Sequence, residues 1–180
     1  MQHELARHRY KKVDGKYEVF ETTLLTYQKF DYIMVDDVMA SIKSHLTPKM
    51  LRPKYRQEAK TNLLRGHCYH SCQALFHLMD KKLDIMRAPD AFDDWHWWLQ
   101  DGDKVLDITA EQYYNVGKVP PYEDKDGEKG KKAQWTGFRG RPQRNTLSIM
   151  KGVLGNGNFR EETEKKQNNI SELNDYEYET

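Results

Sequence analysis

The stretch His96-Trp-Trp-Leu-Gln-Asp-Gly-Asp-Lys-Val-Leu-Asp107 constrains the fold more than any other part of this chain. Asp101-Gly102 suits a two-residue type I′ turn, whose central positions both need positive φ. Its flanks, Trp95 to Gln100 and Lys104 to Ile108, are rich in aromatic and β-branched residues, as strands are. Such a turn pairs Gln100 with Asp103, sets Trp98 opposite Val105 and brings His96 opposite Asp107. Directly opposed side chains have Cβ atoms about 5 Å apart, within reach of a carboxylate–imidazole hydrogen bond. The hairpin therefore predicts a histidine held by an aspartate, with Trp97 and Leu99 on its other, apolar face.

Upstream, the spacing predicts a helix from His67 to Asp80, with Cys68, Cys72, Leu75, Phe76 and Met79 repeating along one buried face. Gly66 stands just before its start, where backbone N–H groups are unpaired and the helix dipole is positive. A thiolate is favoured over a thiol at such a place, which makes Cys68 the candidate nucleophile. Cys72, one turn further on, is assigned to packing. A thiol, an imidazole and a carboxylate are the set that thiol catalysis needs: the imidazole takes the proton of the sulfur and later delivers it, and the carboxylate orients the ring.

Gly66-His67-Cys68, His96-Trp97-Trp98 and Asp107-Ile108-Thr109 follow one another in the order Gly-x-Cys helix start, His-x-Trp strand, Asp-x-Thr strand end. Over roughly residues 62 to 112 the chain thus resembles the papain-like superfamily, and within it the transglutaminase-like group. The resemblance implies an α+β core in which a Cys-bearing helix packs on an antiparallel sheet carrying His and Asp. It implies Cys68 as nucleophile, His96 as general base and acid, and Asp107 as the orienter of His96. The reaction would be attack on an amide, peptide, ester or thioester carbonyl of a protein or small acyl substrate, through an acyl-enzyme resolved by water or an amine, with no cofactor. Asn62 sits where papain-like enzymes carry an oxyanion donor, with Gln57 as fallback. The wider string Gly-His-Cys-Tyr, His-Trp-Trp-Leu, Leu-Asp-Ile-Thr is similar to small proteins of bacteriophages and bacteria, which implies such an origin.

Elsewhere the signals are plainer. Strands are expected at Tyr17 to Tyr27 and Leu83 to Ala88, and helices at Asp36 to His45, after Thr47-Pro48, and at Gln143 to Val153. A single domain is expected over residues 1–154, and the Asn-, Glu- and Lys-rich residues 155–180 read as a disordered acidic tail. Substrate-binding candidates are Trp98 and the basic segment Arg139, Arg141 and Arg144, which with Trp135 and Phe138 also suggests nucleic acid. The net charge of +1 gives that reading no support from the whole chain. A zinc site at Cys68, Cys72 and His96 is the metal rival, but the chain has no second cysteine pair of the kind that structural zinc sites use, and no metal is expected. Two cysteines four residues apart on one helix argue against a disulfide, and the polar, basic N-terminus against a secretory signal, so the expected location is cytoplasmic, without a membrane span. A non-catalytic interaction protein on the same scaffold, inhibiting a host factor, is the other function class left open.

Overall fold

Asp14 and Gly15 turn the chain back on itself with φ of +48° and +80°, as a type I′ hairpin demands. They join β1 (Gln2–Val13) to β2 (Lys16–Gln28), in a computed structural model that describes residues 2–123, 138–140, 142–155 and 157–166. The alternation at Tyr17 to Tyr27 anticipates β2 but not β1, whose polar residues carry no apolar period. A third strand, β6 (Phe159–Lys165), lies antiparallel to β2 from Glu21↔Lys165 to Tyr27↔Phe159. This overturns a structureless tail beginning at residue 155. Composition hides the strand because its residues are mostly exposed, while the ladder and the stacking of Phe159 on Tyr27, 5.9 Å between ring centroids, hold it. Residues 167–180 lie outside the described part.

The second sheet has the order β3 (Asp84–Pro89), β4 (Trp95–Asp101), β5 (Lys104–Leu106), all antiparallel. Its hairpin departs from the expected register. Asp101 pairs with Lys104, Gln100 with Val105 and Leu99 with Leu106. The turn is therefore Gly102-Asp103, with the glycine at the first central position (φ +57°). That is the place a type II′ turn gives to glycine. Continued outward, this register would set Trp98, not His96, opposite Asp107, but β5 stops at Leu106 and Asp107 leaves the strand.

Among the described residues the α-helices are α1 (Val35–Ser44), α2 (Pro53–Glu58), α3 (Cys68–Leu78), α4 (Glu111–Tyr114) and α5 (Arg144–Leu154). Asp36 and Asp37 occupy the first turn of α1, favourable to the dipole, while Val35, Val38 and Ile42 face inward. After Thr47-Pro48 the chain makes only a 3-10 turn, Pro48–Met50, and Thr47 gives it no side-chain cap. Pro53, expected to interrupt a helix, instead opens α2. The chain is α+β, with two small antiparallel sheets and several helices.

α3 is the hub. It packs against α1, α5 and β4, and buries Ser71, Gln73, Ala74 and His77 besides its apolar stripe. Ser71, Gln73 and His77 are matched to partners, as burial demands. Gln73 Nε2 donates to the Phe138 carbonyl at 3.0 Å, and its Oε1 accepts from the Gln143 N–H and the Thr146 hydroxyl at 3.0 and 2.7 Å. One glutamine thereby fastens the start of α5 to the middle of α3. Among the described residues no helix is long and apolar enough to cross a membrane.

Candidate active site

Cys68 is the first residue of α3, so its own N–H precedes the intrahelical hydrogen-bond ladder. Its sulfur lies 3.7 Å from the Trp95 carbonyl oxygen, in the residue just before His96. His96 is wholly buried on β4, stacked on Trp98 and edge-on to Tyr113, with ring centroids 5.8 and 4.9 Å away. Nε2 of His96 lies 2.6 Å from Asp107 Oδ2. The pair forms although cross-strand opposition does not deliver it. Once clear of β5, Asp107 accepts the Thr109 N–H (2.9 Å) and hydroxyl (3.2 Å) at Oδ1. This local turn, of the kind Asp favours, swings Oδ2 toward the imidazole.

Tyr122 completes the arrangement, its hydroxyl donating to Asp107 Oδ2 at 2.7 Å. Burial alone would lower the pKa of His96, but the Asp107 hydrogen bond and the adjacent Cys68 thiol outweigh it and hold it raised, to about 10. Burial likewise opposes the charge on Asp107, and His96, Tyr122 and Thr109 together keep its carboxyl below the ordinary value. The thiol of Cys68 is directed at the Trp95 carbonyl, and Nδ1 of His96 completes no hydrogen bond. That nitrogen is the one left to serve the sulfur.

Cys68 opens onto a cleft of about 390 Å³ whose walls include Tyr55, Trp95 and Trp97 and whose polar groups include Arg52, Arg65, His70 and Asp94. Cys72 does not line it. Burial first, then the charge of Asp107 and the neighbouring Cys68, raise the Cys72 thiol well above its ordinary pKa. Iodoacetamide is therefore expected to alkylate the native protein once, at Cys68, and Cys72 only after denaturation; peptide mapping reads the order. Cys72 labelled first would overturn this assignment.

The other sequence-derived candidates fall elsewhere. Asn62 is buried and gives its amide to the Gln112 carbonyl at 2.7 Å, tying the approach to α3 onto α4, and it does not line the cleft. Trp98, 1% exposed, backs His96 and stands edge-on to Tyr122, so Trp95 and Trp97 from the opposite face of β4 take its place on the cleft wall. Arg139 lies over the Phe76 ring at 5.4 Å and does not line the cleft. Arg144 is exposed on α5, while its neighbours Gln143 and Asn145 reach the cleft. Arg141 and Trp135 lie outside the described residues. Phe138 is completely buried and stacked on Trp97, so it offers no face to a nucleic-acid base. Among the described residues no group of three or more His, Cys, Asp or Glu side chains is set to hold a metal ion.

Sequence reasoning missed Tyr122 and the residues around Arg65. The Arg65 guanidinium, 7% exposed, meets Glu58 at 2.9 Å, Asp90 and Asp94 at 3.6 Å each, and lies over the Phe92 ring at 4.3 Å. Asp90 in turn accepts the Tyr113 hydroxyl and the N–H groups of Phe92 and Asp94. Arg65 directly precedes Gly66, and Asp94 directly precedes Trp95. The network thus binds the segment that leads to Cys68 to the loop that leads to His96. Set against protein-family models, curated proteins and solved structures, the chain matches none.

Proposed function

We propose that this chain is a cysteine acyl enzyme of the papain-like, transglutaminase-like kind, working through the triad Cys68, His96 and Asp107. The observation that carries the proposal is the buried His96–Asp107 pair, 2.6 Å apart, beside a thiol that opens a helix and faces a cleft. The Cys68 sulfur attacks the carbonyl carbon of an amide, ester or thioester, while His96, held protonated by Asp107, keeps on Nδ1 the proton that the sulfur has given up. The Cys68 N–H, unclaimed by the helix ladder, faces the charge that grows on the carbonyl oxygen. Breakdown of the tetrahedral intermediate expels the amine, alcohol or thiol with the proton from His96, leaving an acyl group on sulfur. Water or an amine then gives its proton to His96 and takes the acyl group.

The helix carrying Cys68 packs on the antiparallel strand carrying His96, which supports the likeness to the papain-like core drawn from the residue order. Intact-protein mass spectrometry after incubation with a panel of activated acyl donors tests the proposal. The expected result is a single acyl adduct mapped to Cys68 that is discharged by hydroxylamine. An unacylated Cys68 in a folded protein that iodoacetamide still alkylates would overturn it.

A further inference from the structure

We propose that the acyl donor carries a carboxylate, received in the cleft by Arg52 and His70. This rests on the acyl-enzyme reading and names the substrate class of the same site. Two observations on the cleft wall carry it.

The first is the state of the charges. Of the charged groups lining the cleft, Arg65 is engaged by Glu58, Asp90 and Asp94. Asp94 is equally spent, meeting the Tyr55 hydroxyl, Lys54 and Arg65. Arg52 is exposed at the same wall and has no carboxylate partner among the described residues. Its guanidinium is the unbalanced charge that an arriving substrate meets, and its planar fork suits two coplanar oxygens.

The second is His70, two residues beyond Cys68 on α3. Both of its ring nitrogens are buried, and neither has a hydrogen-bond partner. Buried polar atoms in folded proteins are nearly always paired, so two orphans on one ring beside a cleft ask for a ligand. Burial first, and then the charge of Arg52, lower the pKa of the ring to about 4. It is neutral at physiological pH and offers one N–H and one lone pair rather than a second positive charge. One cation and one neutral donor match a carboxylate, with a single charge and two oxygens. A phosphate monoester, with nearly two charges and three oxygens, would leave charge and acceptors unmet.

The test uses the full chain and needs no carbonyl chemistry. Rates of Cys68 modification by 6-maleimidohexanoate and by its uncharged methyl ester are measured, with the site confirmed by peptide mapping and the ratio normalised to that for glutathione. The wild-type ratio is expected to favour the carboxylate about three- to fivefold, the size that a solvent-exposed charge pair supports. Arg52→Gln should bring it to about one, Arg52→Glu should reverse it, and 1 M NaCl should suppress it through screening. A normalised ratio of one in the wild type, or a preference that survives Arg52→Gln, overturns the proposal. Arg52 is exposed, so these variants leave the core untouched. Failure here leaves the acyl-adduct test standing, and failure of that test leaves this ratio intact.

Discussion

Asp107→Asn is expected to slow acylation of Cys68 by about 10²- to 10⁴-fold, the range that a positioned general base contributes. The argument follows from which atoms donate around the carboxylate. Oδ1 receives the Thr109 backbone N–H, a donor that cannot be turned into an acceptor. An asparagine must therefore place its own oxygen there and its NH₂ where Oδ2 now stands. Oδ2 is the atom that faces His96 Nε2 and the Tyr122 hydroxyl. The new NH₂ would donate to Nε2, forcing the proton of the neutral ring onto Nδ1. That tautomer has no lone pair left for the proton of the Cys68 thiol. Single-turnover acylation followed by mass spectrometry reads the rate, and circular dichroism checks that the fold is kept. A variant acylated within threefold of the wild type would remove Asp107 from the mechanism.

The same substitution has a second signature in the pH dependence of stability. His96 is raised in the folded protein, so its contribution is fully present below the unfolded value of 6.5 and is lost as pH rises through about 10. Remove the carboxylate and burial is opposed by Cys68 alone, which brings the histidine down from its raised value. His67, His70 and His77, all lowered to about 4, make stability climb from about pH 4 to 6.5 in both proteins, and they cancel in the comparison. The stability gap between wild type and Asp107→Asn, from urea denaturation, is thus expected to narrow as pH rises from 6.5 toward 10. A gap constant over that range would mean that His96 carries no extra proton affinity from Asp107.

The members of the proposed triad were legible in the sequence, but the geometry that joins them was not. Residue type and chain order singled out Cys68, His96 and Asp107. The pairing of His96 with Asp107 was inferred from a turn at Asp101-Gly102, whereas the turn is Gly102-Asp103 and the strands slip accordingly. Either dipeptide puts a glycine in a two-residue loop, and the backbone at Asp101 decides between them. Among the described non-glycine residues positive φ occurs at Asp14 and Asp93 but not at Asp101, which removes the type I′ turn at Asp101-Gly102. The pair survives this slip because the Asp107–Thr109 turn, a local preference of the sequence Asp-Ile-Thr, re-aims the carboxylate. Tyr122 and the Arg65 network left no trace because they join loops distant in sequence, where no periodicity exists to read. β1 and β6 escaped for a different reason: a sheet with mostly solvent-facing outer strands shows its ladder in backbone hydrogen bonds, not in apolar alternation.

Gly66→Ala is expected to destabilise the fold by about 2–5 kcal/mol, a large share of the 5–15 kcal/mol typical of a domain. Two costs add. Gly66 has φ of +86°, where a Cβ costs about 1–2 kcal/mol. That Cβ would also lie 2.7 Å from Cγ and 2.9 Å from Cβ and Cδ2 of Tyr55. The ring cannot step aside cheaply. Its hydroxyl is bonded to Asp94, and Arg65 and Lys54 lie over its face at 5.2 and 4.4 Å. Overpacking of this kind adds about 1–3 kcal/mol. The two costs separate in a double-mutant cycle, because Tyr55→Ala removes the collision and leaves the backbone strain. In the Tyr55→Ala background the glycine substitution is expected to cost only about 1–2 kcal/mol, the backbone part alone. Equal costs in both backgrounds would show that the glycine is required for its dihedral angles and not for the approach of Tyr55, the residue whose packing sets the cleft wall next to Cys68.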